Sequence, residues 1–143
     1  MHPHPTPKAH IPIRLPIAIL TAFLIGGFAY YAIEILWRGH SHIAMWLCGA
    51  LSLSGIFLID VKSKKGMIKR ALYSALLITA AQLAFGSICN LWLEMRIWSY
   101  EELPLNLFGQ ICRPFCVLWF LLSFPAIGVC KLIRSAVGLH RLS

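Results

Sequence analysis

Charge is scarce in this sequence. Asp, Glu, Lys and Arg together make up 13% of its 143 residues, and only five are acidic. A water-soluble domain carries about a quarter charged residues, so a soluble surface cannot be coated here. There is no glycine-rich phosphate loop and no assignable Ser-His-Asp constellation, so nucleotide hydrolysis would have to come from a partner ATPase. Cysteines are absent from polar loops. Cys48, Cys89, Cys112, Cys116 and Cys130 all lie inside or at the edges of apolar stretches, which indicates small buried hydrophobes and no extracellular disulfide framework. Cys112 and Cys116 are one helical turn apart, but the C-x-x-C pair and second loop pair of a membrane disulfide oxidoreductase are missing. The first apolar run is too long for a signal peptide and has no small-x-small cleavage site after it, so it is expected to remain in the mature protein.

What the chain does contain is long apolar runs. Hydrophobic residues reach 59% and mean hydropathy is +0.74. A helix needs roughly 20 apolar residues to cross the hydrocarbon core. Four stretches qualify: Pro16 to Trp37, Ile43 to about Ile59, Ala71 to Leu93, and about Leu107 to Val129, the last with Arg113-Pro114 inside it. The fold class expected is an all-α integral membrane bundle of about four helices. Residues 1–15 form a Pro/His-rich tail, 16–130 the transmembrane domain, and 131–143 a basic segment that either continues the fourth helix or lies on the inner leaflet.

The formal charge of +8 does not point to nucleic acid, because the basic residues sit in short clusters between the spans. Ten of them (Lys8, Arg14, Lys62, Lys64, Lys65, Lys69, Arg70, Lys131, Arg134 and Arg141) fall on one side, against Arg38, Arg96 and Arg113 on the other. That asymmetry predicts a multi-pass cell-membrane protein with both termini cytoplasmic. Trp37, Trp46, Trp92, Trp98 and Tyr100 then fall near the outer interface as an aromatic belt, with Trp119 deeper in the fourth span.

A shift of sixty positions superimposes Gly26 on Gly86, Glu34 on Glu94, Leu47 on Leu107 and Gly49 on Gly109. Either the chain holds two duplicated helix pairs or the matches are chance among Gly- and Leu-rich segments. Gly26, Gly27, Gly49, Ala50 and Gly55 are expected to allow close helix packing.

Ionisable residues within spans are costly and mark functional candidates. They gather at the outer side: Glu34 with Arg38 four residues on, Glu94, then Asn106, Gln110 and Arg113. These six are the candidate ligand or coupling site; the alternative is a network that only fixes packing. No catalytic residues, cofactor or metal are assigned. His40 and His42 flank Ser41 in an interfacial turn, where Gly39 is expected to supply the bend and Ser41 to cap the second helix.

These residues also carry a family resemblance. Tyr31-x-x-Glu34-x-x-Trp37-Arg38-Gly39-x-Ser41-His42 resembles the first signature of the "Putative ABC-transporter type IV" family, also called CmpB-like. Trp98, Tyr100, Pro104, Asn106, Gly109, Gln110 and Ile111 resemble the second, with Ser99 where the family often has an acidic residue. The resemblance spans about Tyr30 to Leu122 and points to Glu34, Arg38, Glu94, Asn106 and Gln110. The reading expected is a small permease-like or channel-like membrane protein. Four spans enclose little space, so a homo-oligomer or a transporter partner subunit is expected to complete a path. Polar groups at its mouth would meet lipid headgroups, which makes a lipid or small amphiphile the expected ligand. A membrane enzyme acting on a lipid or quinone, and a structural or regulatory subunit, are the alternatives.

Overall fold

A computed structural model describes residues 14–94, 106–107 and 111–139, with side chains from 14–94 and 116–139. Four α-helices dominate it: α1 Arg14–Arg38, α2 Ile43–Lys62, α3 Met67–Gly86 and α4 Arg113–Ala136. All four are long and apolar enough to cross a membrane, α3 together with the π-helical turn Ser87–Trp92 that prolongs it. With no water in the bilayer core, backbone groups must be satisfied within each span, which favours helices. Buried hydroxyls follow the same rule: Ser54, Ser74 and Ser123 each donate to the carbonyl four residues back, at 2.7 to 2.8 Å.

α1 and α2 form a tight hairpin. A Cβ at Gly26 would sit 2.6 Å from the Gly49 carbonyl oxygen, and one at Gly27 would enter the Trp46 ring. Small residues thus let the two backbones meet, as their placement predicted. α4 packs against α3 and α2, and touches α1 much less. The core gathers Ala18, Ala22, Phe57, Val61, Ala71, Ile127 and Cys130 from all four helices.

The helix ends refine the sequence-based boundaries. α4 begins at Arg113, with Pro114 in its first turn, where a missing N–H costs nothing. The fourth helix therefore does not run through Leu107. Before it, Asn106–Leu107 and Ile111–Cys112 make a two-residue antiparallel pairing. At its other end α4 absorbs residues 131–136, then closes where Gly138 takes φ +67° and Leu139 N–H reaches the Arg134 carbonyl at 2.9 Å. This is a Schellman closure. Gly39, at φ +77°, turns the chain out of α1 as expected. The cap of α2 is His42, whose Nδ1 accepts from Ala44 N–H at 3.0 Å, so Ser41 does not hold that role.

Nor do the helices keep a sixty-residue register. α1 and α3 start at Arg14 and Met67, α2 and α4 at Ile43 and Arg113, and no single shift superimposes both pairs. The long connection before α4 accounts for the mismatch.

Candidate functional site

Two charged layers occupy opposite ends of the bundle. The first was anticipated in part. Near the end of α1, Arg38 Nε donates to Glu34 Oε2 at 2.6 Å, and a second guanidinium nitrogen touches the same oxygen. Their spacing of four residues puts both on one helical face. Glu34 is largely buried, with 14% of its side chain exposed against 26% for Arg38. Glu94 follows the π-helical turn, in which Leu93 N–H reaches the Ile88 carbonyl at 2.9 Å. Its backbone is left-handed, at φ +52°, and its side chain is exposed. A π-turn carries one residue more than an α-turn and often marks a functional segment. Asn106 pairs with Cys112 through the backbone, and Arg113 opens α4. Gln110, Trp98 and Tyr100 lie outside the described residues. The structure thus joins Glu34 to Arg38; among the described residues, it shows no contact between Glu34 and Glu94.

The second layer was not anticipated. Asp60, two residues before the end of α2, is fully buried. Its Oδ1 accepts from Arg70 Nη1 in the first turn of α3, and its Oδ2 lies 3.7 Å from Arg134 Nη2 in the last turn of α4. Three helix ends therefore converge on one carboxylate. Read along the chain, Asp60 falls just past an apolar run, and both arginines look like ordinary flanking charges. Burial of the pair arises from contacts across the fold.

Between the layers lies a cavity of about 210 Å³. Its floor is built from Gly49, Ser52, Leu53 and Ile56 of α2, and from Ile78 and Gln82 of α3. Ile25, Ala29 and Ile33 of α1 and Pro125 of α4 form an exposed rim. The cavity is therefore a groove on the side of the bundle, between α1 and α4, which pack only lightly on each other. Its surface is almost wholly apolar. The polar groups within it are few and engaged. Trp119 Nε1 donates to Gln82 Oε1 at 3.0 Å, both residues are buried, and the Tyr30 ring lies 6.2 Å from that of Trp119. Burying an amide in such a place is costly unless it is hydrogen-bonded. Gln82 interrupts an apolar run but is not ionisable, so the rule that singled out Glu34 passes over it; a search for any polar side chain within a span would find it.

Pro125 has no N–H, so the Leu121 carbonyl lacks its usual helical donor at the groove's edge. Elsewhere the sequence candidates have plain structural roles. Trp37 and Trp92 are widely exposed at the Glu34 end, as interfacial residues would be, whereas Trp46 packs edge-on against Phe23 and Phe28. Cys48, Cys89, Cys116 and Cys130 are free thiols.

No curated protein and no solved structure matches the chain. A family of membrane proteins does, over residues 20–140, a range that holds both charged layers and the groove. The chain belongs to the family described as "Putative ABC-transporter type IV".

Proposed function

We propose that the protein is a small permease-like subunit of the cell membrane that takes an amphiphile into the groove between α1 and α4. The groove itself carries this reading. An apolar cavity of about 150 Å³ already stays dry and accepts a benzene-sized guest, and this one is larger and open at the side. In a bilayer such an opening faces acyl chains. A chain entering there would meet apolar walls, with Gln82 and Trp119 deep in the floor. The groups near Glu34 and Arg38 would then lie level with a polar headgroup at the outer interface, and both termini would lie in the cytoplasm.

Less supports the enzyme reading. A general base needs a carboxylate in a dry pocket, whereas Glu34 is ion-paired with Arg38 and Glu94 is exposed. Four helices enclose little space, so in this reading the protein works as a homo-oligomer or beside a transporter partner.

The test is amphiphile transfer in proteoliposomes, using a fluorescent short-chain phospholipid. The wild type is expected to accelerate transfer over protein-free vesicles, and Ala126→Phe, which puts a ring into the groove from its α4 wall, to abolish the acceleration. Native mass spectrometry of the same preparations counts protomers and names any retained lipid. If the wild type transfers no faster than empty vesicles, or Ala126→Phe transfers equally well, the proposal fails.

A further inference from the structure

The charged junction at the end of the bundle that carries the termini is not used by the groove. Among the described residues, Asp60 is the only acidic one at that end; Glu34 and Glu94 lie at the other. Two guanidinium groups converge on this carboxylate, and they are not equally held. Arg70 is in direct contact with Asp60, whereas Arg134 approaches only to 3.7 Å, beyond ordinary hydrogen-bond length. Positive charge at the junction therefore exceeds negative.

A second observation points the same way. Arg70 Nε is buried with no hydrogen-bond partner among the described residues, on a side chain only 6% exposed. A buried donor left unsatisfied is costly. Arg70 also sits in the first turn of α3, which has no acidic residue and no side-chain cap. Amide donors at a helix start favour an anion. Lys69 precedes Arg70, and Arg134 keeps 16% of its side chain exposed, so the junction can be reached from outside.

We infer that the Asp60–Arg70–Arg134 junction is a binding site for a phosphate group, with Arg134 as its movable jaw. Guanidinium is planar and presents paired N–H donors that match phosphate oxygens. Arg134 turns from its long approach to Asp60 onto the incoming phosphate, while Arg70 remains anchored to Asp60 and offers its field and its spare donor. Asp60 keeps both arginines in register and limits the site to anions that compete with a carboxylate. The phosphate arrives either as a lipid headgroup or as a free ion.

The experiment uses the full chain in phosphatidylcholine nanodiscs, with phosphatidic acid and inorganic phosphate as probes. Arg134→Gln is expected to weaken phosphatidic acid binding about tenfold, the worth of one charge-assisted hydrogen bond. Lys64→Gln, which removes an exposed charge of the same end, should leave it within about twofold, as for a screened surface charge. Competition by inorganic phosphate identifies the free ion as sufficient; a lack of competition identifies the lipid as the source. Equal losses in the two variants would reduce the effect to general surface basicity and overturn the inference. A measurement on wild-type protein guards against misfolding of the variant: phosphatidic acid should raise the melting temperature and diacylglycerol of the same chains should not. An equal rise with both lipids also overturns it.

Discussion

At the residue scale, the contact between Gly26 and Gly49 sets how closely α1 and α2 approach. A Cβ at Gly49 would run into Tyr30 and come to 2.8 Å from the Gly26 carbonyl oxygen. The carbonyl belongs to a helix backbone and cannot step aside. Gly49→Ala should therefore cost about 1–3 kcal/mol, as overpacking does. Gly66 makes the comparison: nothing lies within 4 Å of an added Cβ, and its φ of −61° suits any residue. Gly66→Ala should stay within about 0.5 kcal/mol of wild type. Thermal unfolding of both variants in one detergent separates close packing from a general intolerance of substitution.

At the element scale, the two ion pairs do different jobs. Glu34 and Arg38 lie on one helix, so their pairing holds no two elements together. Asp60 ties the end of α2 to the start of α3 and the last turn of α4. An i,i+4 pair is worth about 0.3–0.5 kcal/mol, while removing one partner of a buried pair costs about 3–5 kcal/mol. Asp60→Ala should accordingly unfold at much lower denaturant than Glu34→Gln, measured in mixed micelles. Equal stabilities would mean that the arginines find other partners or reach water when Asp60 is gone.

The helices themselves were readable from hydropathy, because an apolar run of bilayer length has few other uses. Their ends were less so. Hydropathy ends the second span at about Ile59, leaving Asp60 out, and starts the third at Ala71, just after Arg70. In the fold these two residues bond to each other, so neither reaches water as a flanking charge would. The Glu34–Arg38 pair was legible since it obeys helical spacing. The groove was not, for it depends on α1 and α4 packing apart, and no local pattern states that.

At the scale of the whole molecule, an apolar side groove lies between two charged layers, and the direction in which they face decides which leaflet each would meet. The proposed orientation puts the connection at 63–66 in the cytoplasm and the one at 39–42 outside. A cysteine at Lys64 should react with a membrane-impermeant maleimide only after cells are permeabilised, and one at Gly39 should react in intact cells. Cys48, Cys89 and Cys130 are buried and contribute little background; Cys116, which is partly accessible, and Cys112 are replaced by serine in both. The opposite labelling pattern would invert the molecule and move the phosphate site to the outer leaflet.

The bond between Asp60 and Arg70 also bears on how the chain is made. An unpaired aspartate or arginine at the centre of a span costs roughly 2.5–3.5 kcal/mol on insertion, and less toward the ends. These two residues are only ten apart and flank a short turn. They can neutralise each other as soon as α2 and the start of α3 leave the ribosome. Arg134 is synthesised much later, so it joins a junction already closed. The middle hairpin can thus enter the bilayer as one unit, and the last helix docks onto it.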